Sequence, residues 1–133
     1  MEKTFALIKP DAVERNIIGN IIATIEKNHF IISNLKLFKF TISDAQKFYE
    51  IHKDKPFFDN LIEYMTSGNI IALELQKKNA VAEFRELLGS TDPKEAKENT
   101  IRKMYALDKT HNSVHGSDSI VNAEKEISLI FGT

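Results

Sequence analysis

The sequence predicts an α+β sandwich, a small antiparallel or mixed sheet covered by helices. Three observations carry this expectation. Two strand-to-helix units follow one another at the start of the chain, strand–helix alternation continues after them, and 133 residues with 42% hydrophobic content suffice to bury one core. A single domain over residues 1–133 is expected.

Thr4-Phe5-Ala6-Leu7-Ile8 is a short apolar run stopped by Lys9-Pro10-Asp11, the pattern of a buried strand running into a turn. This puts Lys9 at a strand end. Ile17, Ile18, Ile21, Ile22 and Ile25 then form a helical stripe, with Asn16 as the expected N-cap and Asn20, Thr24 and Lys27 on the polar side. Residues 30–40 carry Leu35, Leu37 and Phe40 among lysines, which suits a half-buried strand, and Ser43-Asp44-Ala45-Gln46 reads as a capping box for the next helix. That helix should pass Phe48, Tyr49, Ile51 and His52 before Pro56 forces a restart, with a further short helix over residues 57–65.

Ser67-Gly68-Asn69 marks a turn into Ile70-Ile71-Ala72-Leu73-Glu74-Leu75, a buried strand. Val81, Phe84 and Leu88 supply one helical face, closed by Gly89. Residues 90–111 then form an unusually long polar stretch, whose one sizeable apolar cluster is Met104-Tyr105-Ala106-Leu107. Structureless loops beyond ~12–15 residues are uncommon and usually functional. Its one regular piece is expected at Asp92-Pro93-Lys94-Glu95, with Asp at N-cap, Pro at N1 and Glu at N3. The final segment, residues 118–131, sets Ile120, Ala123, Ile127 and Ile130 at helical spacing behind Asp118 as a cap, so His115 should lie just before a helix N-terminus.

Charged residues make up 28% of the chain but nearly cancel, to a net charge of −1. Nothing global attracts the chain to nucleic acid or an anionic membrane, so any bound anion must be held locally. The absence of cysteine removes disulfides, thiolate chemistry and cysteine-based zinc sites. No segment approaches the ~20 apolar residues needed to cross a bilayer, and the first residues do not resemble a secretory signal. A cytoplasmic protein is expected.

The chain has three arginines, Arg15, Arg85 and Arg102, against fifteen lysines. A guanidinium fork matches phosphate oxygens as an ammonium cannot, so Arg85 and Arg102 beside the polar stretch are candidate phosphate ligands; surface ion pairing is the alternative. Thr91 and Asn112 border the same stretch and could donate to phosphate or sugar oxygens, or simply satisfy turns. Phe57 could stack on a nucleobase or belong to a core. His115, within Asn112-Ser113-Val114-His115-Gly116-Ser117-Asp118, is a nucleophile candidate, since neutral imidazole persists near pH 7. Gly116 would give room beside it, and a phosphoryl group there would sit near the dipole of the following helix. A structural histidine is the alternative.

His111, His115 and Asp118 also make an H-x3-H-x2-D pattern. A metal site is disfavoured, because Gly116 and the expected cap take these residues out of a helix, where such spacing would converge. Neither a P-loop nor a dinucleotide-binding glycine pattern is present.

Several separated stretches together resemble one family, the nucleoside diphosphate kinases. They are Thr4 to Val13 (TFALIKPDAV), Tyr49 to Phe58 (YEIHKDKPFF), Gly89 to Pro93 (GSTDP), Thr100-Ile101-Arg102 and Asn112 to Asp118 (NSVHGSD), in the family's order and spacing from residue 2 to 131. The resemblance implies a ferredoxin-like β-α-β-β-α-β sandwich with extra helices. It implies an enzyme that takes the γ-phosphate of a nucleoside triphosphate onto a histidine and passes it to a nucleoside diphosphate, a ping-pong cycle with broad base specificity. By the same resemblance His115 is the nucleophile, phosphorylated on its pros nitrogen, and Ser117 and Glu126 orient its ring. Lys9 and Asn112, with Tyr49 alongside, match ligands of the sugar hydroxyl and phosphates. Arg85, Thr91 and Arg102 match the phosphate clamp, His52 another phosphate contact, and Phe57 with Leu61 the base platform. Mg²⁺ would be held mainly by the nucleotide's phosphates, with no protein side chain assigned to it. A homo-oligomer, tetramer or hexamer, is expected.

Lys109 stands where the family usually has an apolar residue across the base from Phe57, Asn99 where glycine is common, and Asn69 where proline is common. The aliphatic stem of Lys109 could still cover a base. Two other readings compete: a non-catalytic nucleotide or nucleic-acid binding module on the same fold, and metal-dependent hydrolysis. The near-neutral chain lacks the basic face or exposed aromatic set that a nucleic-acid module requires.

Overall fold

The computed structural model describes residues 1–132. Four strands form one antiparallel sheet: β1 (Glu2–Ile8), β2 (Ile31–Phe38), β3 (Ile70–Lys77) and β4 (Val114–Gly116), in the order β2-β3-β1-β4. Seven α-helices accompany them among the described residues: α1 (Pro10–Glu14), α2 (Ile18–Lys27), α3 (Ile42–Phe48), α4 (Phe58–Met65), α5 (Ala80–Leu88), α6 (Ile101–Tyr105) and α7 (Ile120–Phe131). Taking α2 and α5 as the two crossovers gives β-α-β-β-α-β, the ferredoxin-like order.

Each sheet face carries its own apolar layer. Ala6 and Ile8 of β1, with Leu73 and Leu75 of β3, pack on Ile21 and Ile25 of α2 and Phe84 and Leu88 of α5. Phe5 and Leu7, with Ile70 and Ala72, face Phe48, Ile62, Met65 and Ile127 from α3, α4 and α7. Alternate residues of β1 thus serve opposite layers, which is why the run reads as continuously apolar.

Several local expectations are corrected. Lys9-Pro10-Asp11 is not a simple turn: Lys9 is extended at the N-cap of α1 and Pro10, with φ preset and no N–H to satisfy, opens the helix. Asn16 does not cap α2; it sits at φ 59°, in the left-handed region that asparagine tolerates, and Ile17 is the cap residue. Thr41, two residues before the proposed capping box, caps α3 by accepting from the Asp44 amide, and the α-helix ends at Phe48, leaving Glu50–His52 as a 3₁₀ turn. Asp92 nucleates only a turn, accepting the Lys94 amide on Oδ1, and the helix of this stretch is α6, capped by Thr100. Ser119 rather than Asp118 caps α7.

β2 is not half-buried. It lies on the sheet edge, and Ile31, Leu35 and Leu37 are 51%, 49% and 58% exposed. Periodicity correctly locates such a strand but says nothing of whether a neighbour covers it. Among the described residues no helix is long and apolar enough to cross a membrane.

Candidate active site

β4 pairs antiparallel with β1, setting His115 opposite Leu7. The His115 ring is walled on one side by aromatic edges, with ring centroids 6.5 Å from Phe5, 5.5 Å from Phe48 and 6.2 Å from Tyr49. On α7, the Glu126 carboxylate meets the ring: His115 Nε2 lies 3.1 Å from Oε1. Ser117 Oγ donates to that same oxygen at 2.6 Å. With Nε2 as the donor, Nδ1 keeps its in-plane lone pair, and that is the pros nitrogen.

His115 opens into a cleft of about 430 Å³. Every residue that the resemblance assigns to the site lines this cleft except Ser117, which is buried and bonded to Glu126. The junction of β1 and α1 delivers Lys9; α5 delivers Arg85; α6 delivers Arg102; the link from α5 to α6 delivers Thr91, and the link from α6 to β4 delivers Lys109 and Asn112. The 3₁₀ turn and the start of α4 supply His52, Phe57 and Leu61 across the opening, the His52 and Phe57 rings lying 5.6 Å apart.

The cationic side is tightly built. Lys9 is buried, and its Nζ donates to Asn112 Oδ1 at 2.8 Å. Burial first, then the neighbouring Arg102 charge, pushes this ammonium down to about 8, against a smaller upward pull from Asp11 and Asp108. Arg102 donates through Nη1 to Gly89 O at 3.0 Å and through Nη2 to Val114 O at 2.8 Å. It therefore ties the end of α5 to β4, one residue from His115. Burial, followed by Arg85, lowers its guanidinium to about 10. Asn112 donates to Lys109 O at 2.9 Å and Thr91 O at 3.4 Å, so both its amide hydrogens already sit on carbonyls and the side chain knots three segments together. The Tyr49 hydroxyl is buried without a partner among the described residues, and burial followed by the Glu126 charge pushes it upward.

Two local expectations change. A Cβ on Gly116 would stand 2.6 Å from Leu88 Cδ1 and 3.0 Å from Phe84 Cδ2, so this glycine makes room for α5 rather than for the imidazole. The ring also meets α7 at Glu126, well inside the helix, rather than at its first turn. His111 joins no metal cluster; its ring Nδ1 is 3.1 Å from Asp108 Oδ1, and among the described residues no group of three His, Asp or Glu side chains converges.

The sequence reading did not single out Phe48, Ile51 or Asn122 as lining residues, nor Asp118 except as a cap. Asp118, Asn122 and Glu126 recur every four residues, and Asn122 Nδ2 donates to Asp118 Oδ1 at 2.6 Å. That i, i+4 polar stripe was the available signal.

The family model described as "Nucleoside diphosphate kinase" matches residues 2–133. The chain belongs to the nucleoside diphosphate kinase family. A nucleoside diphosphate kinase of Nitratiruptor sp. is 52% identical over 131 residues, 98% of this chain and 96% of that protein. The solved Aquifex aeolicus nucleoside diphosphate kinase superposes with a TM-score of 0.95 at 40% identity, covering 98% of this chain and 94% of its own. The Halobacterium salinarum nucleoside diphosphate kinase, solved in complex with CDP, gives 0.94 at 37% identity, with coverage of 99% and 88%. The chain is accordingly an enzyme that moves phosphoryl groups between nucleotides, and no observation favours the non-catalytic binding module. Such transfers generally run with a divalent metal on the phosphates.

Proposed function

We propose that His115 carries the phosphoryl group between nucleoside triphosphate and nucleoside diphosphate. The observation that supports this is the Ser117–Glu126–His115 chain, which leaves Nδ1 as the free nucleophile in a cleft holding Lys9, Arg85 and Arg102. In the first half-reaction the Nδ1 lone pair attacks the γ-phosphorus. The bond to the β,γ-bridging oxygen breaks, its electrons leave on the nucleoside diphosphate, and the proton on Nε2 stays in place, donating to Glu126. Phosphorylation makes the ring cationic, and the Glu126 carboxylate compensates that charge. In the second half-reaction a β-phosphate oxygen of the acceptor attacks the same phosphorus, the P–N bond breaks, and neutral imidazole returns.

Lys9, Arg85, Thr91 and Arg102 hold phosphate oxygens in this reading, with Tyr49, His52 and Asn112 around them. Tyr49 lines the cleft, and its buried hydroxyl has no protein partner among the described residues. Phe57, with Leu61 and the stem of Lys109, receives the base by stacking, which tolerates any base. The CDP bound by the Halobacterium relative fits a nucleotide in the corresponding cleft. Mg²⁺ is the proposed metal; it would neutralise phosphate charge when bound, held mainly by the nucleotide's own phosphates.

The decisive experiment incubates the protein with γ-labelled ATP. An acid-labile, base-stable label on the wild type that disappears in His115→Ala is expected; undiminished labelling of the variant would sink the assignment. We also propose a single cytoplasmic domain and a homo-oligomer, tetramer or hexamer. The exposed apolar side chains of edge strand β2 support self-association, and sedimentation measures the number of copies.

A further inference from the structure

We propose that Tyr64 and Asp11 act as a positioning brace for the turn that aims His115, and this rests on the reading of His115 as nucleophile. Ser113 precedes β4 by one residue, is fully buried, and has φ 72° although it is not glycine. The Val114 amide donates across it to Asn112 O at 2.9 Å, closing a γ-turn of the rarer hand. A residue persists in such a conformation only where its surroundings hold it. The direction of this one turn relates the Asn112 side chain to the His115 ring, so a small rotation at Ser113 would swing one relative to the other.

Apart from Lys9, the holding groups do not line the cleft. Ser113 O accepts the Lys9 amide at 2.8 Å, and Ser113 Oγ donates to Asp11 Oδ2 at 3.5 Å. Asp11 is itself buried, and its other carboxylate oxygen accepts the Tyr64 hydroxyl. Tyr64 is engaged twice, because the Asp11 amide also donates to its hydroxyl oxygen at 3.1 Å. Its ring then packs edge-on against His111, centroids 4.7 Å apart, on the residue leading into Asn112. Tyr64 therefore supports both sides of the turn. Neither Tyr64, Asp11 nor Ser113 lines the cleft, so none of them touches a nucleotide. Their effect must pass through the backbone they fix.

A positioning role and a merely stabilising one differ in what they do to the transfer step. The test is single-turnover labelling of His115 by γ-labelled ATP in wild type, Tyr64→Phe, Ser113→Ala and the double variant, with melting temperatures read in parallel. Tyr64→Phe should label about tenfold slower or more at saturating ATP, while half-saturation moves less than about twofold. Ser113→Ala should change in the same direction, and the double variant should be no slower than the slower single variant, because both act on one turn. Labelling of folded Tyr64→Phe at the wild-type rate, a change confined to half-saturation, or losses that multiply in the double variant would each overturn the brace. If Tyr64→Phe melts below the assay temperature, Ser113→Ala decides by the same criteria. Wild-type protein that takes no label at His115 overturns the nucleophile assignment, and the brace with it.

Discussion

His115 and Ser117 share one oxygen of Glu126, at 3.1 Å from Nε2 and 2.6 Å from Oγ. Both donors approach from the β4 end while the acceptor comes from α7, so the ring's orientation depends on sheet and helix being correctly docked. The shared carboxylate turns Nε2, rather than Nδ1, toward α7.

Replacing that carboxylate should therefore slow transfer without unfolding the protein. Glu126→Gln retains an acceptor oxygen but loses the charge. Hydrogen bonds to charged groups contribute roughly 1.5–3 kcal/mol, so kcat should fall about 10- to 100-fold. Steady-state exchange kinetics, with circular dichroism as a control for folding, check this.

Lys9 should give the free enzyme an unusual basic limb. Its ammonium deprotonates at about 8 rather than 10.5, so kcat/KM should fall as pH rises through about 8. Lys9→Arg, charged throughout the accessible range, should remove that limb while lowering the plateau.

The same group has a stability consequence of opposite sign. Because the folded value of about 8 lies below lysine's ordinary 10.5, the charged lysine costs stability at pH below about 8. The cost fades between about 8 and 10.5 and vanishes above. Lys9→Met should abolish transfer yet stabilise the fold at pH 7 by about 1–3 kcal/mol, a gain that shrinks in urea titrations at higher pH.

Arg102→Lys tests the bridge between α5 and β4. An ammonium lacks the two separate nitrogens with which the guanidinium reaches Gly89 O and Val114 O, so the bridge should weaken, at a cost of roughly 1–3 kcal/mol where a carbonyl loses its donor. Urea denaturation should report that loss, accompanied by a lower kcat/KM.

Gly116→Ala places a methyl group against Leu88 and Phe84, both fully packed. Overpacking of this kind costs about 1–3 kcal/mol. Because β4 must shift to relieve it, transfer should weaken along with the melting temperature.

Much of this fold is legible in the sequence where one periodicity dominates. The run through Ile70 to Leu75 and the Val81–Phe84–Leu88 face read directly as β3 and α5. Caps were harder, because Thr41 and Ser43, or Asp118 and Ser119, lie within two residues of each other and either type can cap. Backbone direction, set by packing, decides between them. The exposure of β2 depends on its edge position, which no local pattern encodes. In the site, Lys9, Arg85 and Arg102 come from elements far apart in sequence, and only the joint resemblance brought them together; ion pairing explained the arginines equally well from composition. The supporting layer of Tyr64, Asp11 and Ser113 was invisible, because its signal is a positive φ and a buried hydroxyl–carboxylate contact rather than a residue pattern.

β1 lies far in sequence from its two sheet neighbours, β3 and β4, both of which come much later in the chain. A polypeptide truncated before residue 112 would leave one flank of β1 with unsatisfied amides and carbonyls, and Lys9 without Asn112 or Ser113. Closing that flank is the same event that seats His115 opposite Leu7. Completion of the sheet and placement of His115 in its cleft are thus one step.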